Sequence, residues 1–565
     1  MKSRYFIFYI LYFIFSTMFT SCADMLETSS ELVEFEKDNT LNHPTDSLYS
    51  VMGVINRLQT IADRSVLLGE VRSDLVTTTP AANADLKRLA AFDFSQSNKY
   101  NQVSDYYAVI NNCNYFLAHI DTAMQRRGRV LFMREYAAVK AFRAWTYLEL
   151  VKAYGHVPLV TEPLMTEQQA SKAMNQAKQD ITAVCNYFIE DLSPYAKVEN
   201  PEYGAINNYN SKEYFIPKQA LLGDLCLWAG RYKEAASWYN SYLNDPKNPM
   251  PLRTGNRVTW GSPTEFISPR DNYSAVREAI SYIPMESIVF NGVVSDLDNI
   301  FESTRENRYY YQVTPSAGMR QLSAAQTYCM EYKTSSETDT IYVPHTGFSD
   351  DRFVGDLRFY SNYRRSSLGG QDPYSEYNSL YQSISKYSNL EVGIMTYRTP
   401  MVYLRYAEAL NRAGLPQSAM LILKYGMCQE NIVSYVDSLE RAQAGGLITF
   451  DDEVFLRENT IGIHAYGSGD VQCDTTYVLP QPAGALATRE DTVAYQIPLV
   501  EDLIISEMAL EGAFEGYRYY DLMRVALRRG TPDYLAAPIS RRSGTEDAAL
   551  RTFLMDPKNW YLPLP

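Results

Sequence analysis

Between Pro217 and Tyr242 the chain places Leu222, Gly223, Cys226, Gly230, Tyr232, Ala235 and Tyr239 at the spacing of two close-packed antiparallel helices. Small side chains at Gly223 and Ala235 let the two axes approach. Gly230 supplies the turn, because glycine enters the left-handed region without a Cβ clash, and Tyr239 is expected to fill the gap between successive pairs. A second copy follows at Tyr403–Met420, where Ala407, Leu410, Gly414 and Ala419 repeat the pattern from the small residue onward. A chain built on such units stacks helical pairs and leaves little room for an extended sheet.

The spacing matches that of a tetratricopeptide repeat. The copies lie far apart, so the array is interrupted by long insertions rather than tandem. Helical periodicity is expected over about 101–124, 130–154, 166–192, 215–243, 398–425 and 498–530. In Glu135–Tyr154 the residues Ala137, Ala141, Ala144, Leu148 and Val151 recur every three or four positions, with Phe142 and Trp145 widening the stripe. Gly155 and Pro158 then stop the helix. The segments 244–395 and 430–497 are rich in Pro, Gly, Ser, Asn and Tyr and lack that periodicity. They are either binding loops on a rigid scaffold or covers for the apolar faces of helical pairs.

The N-terminus reads as an export signal. Lys2 and Arg4 precede a 15-residue apolar run, Tyr5–Phe19, then Thr20, Ser21 and Cys22; the run is shorter than the roughly 20 residues that span a bilayer. A cysteine after a small residue at this point resembles a bacterial lipoprotein box, in which the Cys22 thiol accepts diacylglycerol, although Phe19 stands where Leu is usual. The alternative is ordinary cleavage beside an incidental cysteine. Asp24, Glu27, Ser29, Ser30 and Glu31 then read as a tether, giving expected divisions of 1–21 signal, 22–35 anchor and tether, 36–243 N-terminal helical region, 244–395 insertion and 396–565 C-terminal helical region. None of the remaining cysteines, Cys113, Cys185, Cys226, Cys329, Cys428 and Cys473, forms a C-x-x-C pair, so no zinc ribbon or redox couple is signalled.

The 565-residue chain carries 52 basic and 66 acidic side chains, a net charge of -14. That balance argues against nucleic acid as a partner, because phosphate backbones are held by clustered Lys and Arg. No H-E-x-x-H, G-x-S-x-G or P-loop is present, and the histidines at 43, 119, 156, 345 and 464 stand far apart. His156 reads as a turn residue. The residues call for no cofactor. Asp296, Asp298 and Asn299 begin like a calcium loop but lack its glycine and distal glutamate, so a metal is left open.

Several strings together resemble the SusD/RagB family of outer-membrane nutrient-binding lipoproteins, in that family's order. They are Glu135–Val160, with its Tyr-Gly-x-Val-Pro-Leu ending; Gly355-Asp-Leu-Arg358; Arg405–Gly414; the run Phe514-Glu-Gly-Tyr-Arg-Tyr-Tyr-Asp-Leu-Met-Arg524; and the closing Trp560–Pro565, similar to a terminal strand. The resemblance implies a mainly α fold, four tetratricopeptide-like pairs with a ligand face made by intervening segments. It implies a lipid-anchored protein on the exterior of the outer membrane that gives oligosaccharide, or in the RagB branch peptide, to a SusC-like TonB-dependent transporter. The charges at 511, 515, 518, 521, 524 and 528 are expected to pair along one side of a single helix.

For the ligand face the implied regions are the segment after the first helix and the middle insertion. Arg72, Asp74 and Asn83 offer forked donors and acceptors suited to sugar hydroxyls. Trp260, Tyr309 and Tyr310, followed by Tyr311, offer flat rings for the apolar side of a pyranose. With 46 Tyr against 23 Phe and 5 Trp, the chain favours rings that keep a hydroxyl. The competing readings are a lipoprotein glycoside hydrolase, for which two carboxylates suffice, and a peptide-binding envelope scaffold.

Overall fold

The apolar residues Val51, Val54, Ile55, Leu58, Ile61, Ala62 and Val66 form the buried stripe of a 27-residue helix, α1 (Pro44–Glu70). The computed structural model describes residues 44–206, 209–252, 278–285, 293–302, 311–333, 338–343, 355–361, 363–364, 383–387, 393–470 and 474–564. Cys22, Trp260, Tyr309 and Tyr310 lie outside them. After α1 come α2 (Val103–His119), α3 (Met133–Tyr154), α4 (Ile181–Leu192), α5 (Lys218–Trp228), α6 (Tyr232–Leu243), α7 (Thr399–Arg412) and α8 (Pro416–Lys424). Each packs on the next, α2 through α8, and α9 (Arg489–Glu511) closes over α7 and α8. The fold is mainly α, a superhelix of paired helices. No helix among the described residues is long and apolar enough to cross a membrane.

The pairs follow the small-residue logic of the sequence. In α2 and α3 the Tyr107 and Tyr147 rings meet edge to face, and Arg143 Nη1 donates to Asn114 Oδ1 at 2.9 Å, so the two helices run antiparallel. A Cβ on Gly223 would stand 2.4 Å from the Tyr239 ring. Tyr239 therefore lies within its own pair rather than between pairs, and its hydroxyl donates to Asp224 Oδ1 at 2.6 Å. The two copies share one turn. Gly230 and Gly414 have φ of +75° and +88°, and the next amide, of Arg231 or Leu415, donates to the carbonyl five residues back, Cys226 or Leu410.

Strands are short and pair only two at a time among the described residues. β1 (Val76–Thr78) pairs with β3 (Val313–Pro315), β2 (Ala279–Pro284) with β6 (Gly393–Arg398), and β4 (Tyr328–Lys333) with β5 (Thr338–Val343), all antiparallel. The β1–β3 pair joins the first segment to the insertion, whereas β4–β5 is a hairpin within the insertion. Cys113, Cys185, Cys226 and Cys428 are free and buried, whereas Cys329 is disulfide-bonded.

Two expectations change. The C-terminal helix begins at Arg489, capped by Thr488, with Pro498 inside it, and the chain breaks at Gly512–Tyr517 before α10 (Arg518–Arg529). The break has a physical cause, because Phe514 and Gly516 have φ of +69° and +86° and cannot continue a helix. The charged residues consequently pair across elements. Arg524 meets Glu408 of α7 at 2.6 Å as well as Asp521 of its own helix at 2.8 Å, and Arg528 meets Glu408 at 2.9 Å. At the terminus, residues 557–560 form a 3₁₀ turn and Leu562 N–H donates to Ala153 O at 2.9 Å, with no strand ladder.

Candidate functional site: the junction of the first segment with the insertion

Beyond α1 the chain turns into the interior before it reaches the surface. Val71, Arg72, Ser73, Asp74, Leu75 and Val76 are all buried. Arg72 is 0% exposed: its guanidinium donates to Leu68 O at 2.7 Å, Trp560 O at 2.9 Å and the Tyr520 hydroxyl at 3.1 Å, and lies over the Tyr519 ring. Asp74 receives Arg518 in a two-pronged pair at 2.7 and 2.8 Å. Both were expected to face a ligand. The structure instead spends their polar atoms inside the fold, tying the first segment to α10 and the C-terminus. The apolar neighbours Val71, Leu75 and Val76 carried that signal in the sequence.

Asn83 sits at the surface edge, half-buried. Its Oδ1 accepts from Leu86 N–H at 2.9 Å and caps the helix Ala84–Ala90, the role that Asn before an acidic first turn favours. Its Nδ2 donates to Gln312 Oε1 at 2.9 Å and to the Tyr100 hydroxyl at 3.2 Å. Burial raises the Tyr100 phenol above its ordinary range, so it stays a neutral donor and acceptor.

The two regions nominated by sequence meet here. β1 and β3 pair Val76 with Pro315, Thr77 with Thr314 and Thr78 with Val313. Thr79 donates from its amide to Gln312 O and from its hydroxyl to Tyr311 O, both at 2.9 Å. Tyr311 is buried, 1% exposed. The surface left at this junction carries half-buried Thr77, Thr78, Asn83 and Gln312 beside exposed Pro80. Such a rim offers hydroxyl and amide groups, with the Lys87 ammonium donating to Pro80 O at 2.9 Å beside them, a chemistry that suits a hydroxyl-rich ligand.

A second feature escaped the sequence reading. A cleft of about 40 Å³ opens between α3, α5, β6 and α10, lined by Trp145, Lys152, Asp224, Trp228, Arg405 and Asp521 among others. Asp224 accepts from the Tyr239 and Tyr397 hydroxyls at 2.6 and 2.7 Å and from Arg405 at 2.8 Å. The cleft has room for about three waters, and its charges largely satisfy one another. It is a polar seam in the scaffold.

Among the described residues no group of three or more His, Cys, Asp or Glu is arranged to hold a metal. Asp296 and Asn299 are engaged locally: Asp296 N–H donates to Asp63 Oδ2 at 2.8 Å, and Asn299 Nδ2 to Asp296 Oδ1 at 3.0 Å. His156 is exposed in the turn after α3, its amide on Tyr154 O.

No family model matches the sequence, and no curated protein matches it. Solved structures do match. A SusD superfamily protein from Bacteroides vulgatus ATCC 8482 is 15% identical with a TM-score of 0.56, covering 93% of this chain and 96% of its own. A SusD-like carbohydrate-binding protein from Bacteroides fragilis NCTC 9343 is 15% identical with a TM-score of 0.55, covering 87% and 88%. A SusD superfamily protein from Bacteroides thetaiotaomicron VPI-5482 is 14% identical with a TM-score of 0.53, covering 86% and 89%. Paired helices interrupted by a long insertion define a class of helical scaffold proteins. Within that class, the fold of this chain is the SusD fold.

Proposed function

We propose that the chain is a surface nutrient-binding lipoprotein, anchored in the outer membrane through Cys22, that captures an oligosaccharide and delivers it unbroken to a SusC-like TonB-dependent transporter. The observation that carries this reading is the shared fold with a SusD-like carbohydrate-binding protein over 87% of the chain. The hydroxyl-and-amide rim at Thr77, Thr78, Asn83 and Gln312 supports a glycan as cargo. Trp260, Tyr309 and Tyr310 would supply the stacking rings, Tyr310 being next in sequence to the anchored Tyr311.

Two measurements test it. Mild-detergent purification of the lipidated chain should recover a large TonB-dependent barrel, and calorimetric titration across a glycan panel should find a ligand that chromatography recovers intact. Consistent absence of a barrel removes the delivery step. Cleavage of the bound glycan, or binding of peptides in its place, overturns the reading of the cargo.

A further inference from the structure

The two helices of the first pair, α2 and α3, are joined through a short hairpin whose base, at Met124 and Leu131, packs on the core. Gln125–Arg126 pairs antiparallel with Arg129–Val130, and Leu131 N–H donates to Met124 O at 3.0 Å. The two residues at the tip, Arg127 and Gly128, have φ of +53° and +74°, the signature of a type I′ turn whose twist suits a two-residue hairpin. Gly128 is at home there. Arg127 is not, because a Cβ in the left-handed region crowds its own carbonyl and the position favours Asn, Asp or Gly.

The other described non-glycine residues with positive φ are Phe92 and Phe514, and both are buried. Burial of their rings and, at Phe514, the Glu70 carboxyl on its amide offset the strain. Arg127 has no such support: it and Arg126 are exposed and make no ion pair or hydrogen bond among the described residues. On a chain of net charge -14, this tip is a local positive point.

We propose that the hairpin is a second membrane contact, in which Arg126 and Arg127 grip the phosphates of lipid headgroups. Guanidinium groups match phosphate oxygens in two-pronged pairs. A protein partner fits less well. A stable protein interface buries about 800 Å² on each side around an apolar centre, whereas this hairpin presents a narrow cationic tip. A fluid array of phosphates accepts such a tip without shape matching. The proposal rests on the anchoring of Cys22 for its setting: residues 22–43 reach at most about 75 Å when extended, which keeps the body near the surface. One contact there would fix its orientation.

Sedimentation of the full chain carrying Cys22→Ser with vesicles tests the hairpin apart from the anchor. Phosphatidylglycerol vesicles should bind it, pure phosphatidylcholine vesicles should not, and high salt should release it. Arg126→Ala with Arg127→Ala should weaken binding roughly 30-fold, taking each cation near the surface as worth about fivefold. Arg127→Asn is the control for folding, since it suits the turn: thermal stability should hold or rise while binding falls. Equal binding by wild type and the double variant, or no binding to anionic vesicles, overturns the proposal. So does an association with the purified barrel that these substitutions abolish in the absence of vesicle binding. Glycan titration is unaffected by either substitution, so failure here is separable from failure of the cargo reading.

Discussion

Glu70, the last residue of the first helix, accepts a hydrogen bond from the amide of Gly516 at 3.0 Å, 446 residues away in sequence, and another from Phe514 at 3.1 Å. Gly69 makes the approach possible, since a Cβ there would stand 1.7 Å from Gly516 O. This clasp holds the left-handed bend that separates α9 from α10. It also explains why the most recognisable string of the sequence is a bend and not continuous helix.

Replacing Glu70 with Ala strands two buried amides. Each unpaired group costs about 1–3 kcal/mol, so Glu70→Ala should lower stability by roughly 2–5 kcal/mol in urea unfolding. Glu70→Gln keeps one acceptor oxygen and should cost less. A change below about 1 kcal/mol for the alanine variant would show that the bend is held by packing alone.

The close approach of Gly223 to Tyr239 makes a second prediction. Gly223→Ala places a methyl group inside van der Waals contact with a buried ring, and overpacking of this kind costs about 1–3 kcal/mol. Combining it with Tyr239→Ala should recover part of that penalty. Additive losses in the double-mutant cycle would mean that the two residues do not meet in solution.

These two cases also show what the sequence could disclose. The helix pairs were legible because Gly223, Gly230, Ala235 and their counterparts Ala407, Gly414 and Ala419 act within a few turns of each other. Helix α1 was equally periodic, from Val51 to Val66, and went unread. The break at 512–517 was not legible, because its cause is Glu70, distant in sequence. The same holds for Arg72 and Asp74. Their charge suggested a surface, but their partners Trp560, Tyr520 and Arg518 come from the far end of the chain and take them inside. At Asn83 the cap was local and readable, and the bond to Gln312 was not.

The contribution of one buried histidine to stability should fall as the solution becomes alkaline. His464 is 2% exposed, with Nδ1 2.8 Å from Glu507 Oε1 and Nε2 3.5 Å from Asp474 Oδ2, its ring stacked on Tyr477. Burial opposes its charge and nearby Arg358 repels it, but the two carboxylates outweigh both and raise the imidazole to about 8. A raised folded value means that the contribution is complete below the unfolded value near 6.5 and is lost as pH rises through about 8. The loss amounts to roughly 2 kcal/mol. Glu70, raised to about 8 by burial, adds a loss of the same sign between its ordinary range and that value. His464→Gln should therefore make the urea midpoint fall less, or rise more, than in the wild type between about pH 6 and pH 9. An unchanged slope would remove His464 from the account.

Residues that build the fold and residues proposed to meet the ligand should fail differently. Arg72→Ala removes a buried guanidinium from three oxygen partners and a ring face, leaving unpaired groups and a cavity, at a cost of about 3–5 kcal/mol. The surviving folded fraction should bind glycan with its affinity unaltered, because no atom of Arg72 reaches the surface. Trp260→Ala with Tyr310→Ala should do the reverse: loss of stacking rings should weaken glycan binding at least tenfold, given aromatic contributions of about 0.5–1.5 kcal/mol each beyond area burial, while the urea midpoint holds. Gln312→Ala stands between the two classes. It frees the Asn83 side chain and loosens the join between the first segment and the insertion, so it should cost about 1 kcal/mol of stability and also weaken binding. Calorimetry and urea unfolding on the same preparations decide the matter: a Trp260/Tyr310 variant with full affinity places the platform elsewhere, and an Arg72 variant that folds but no longer binds would return that residue to the ligand face.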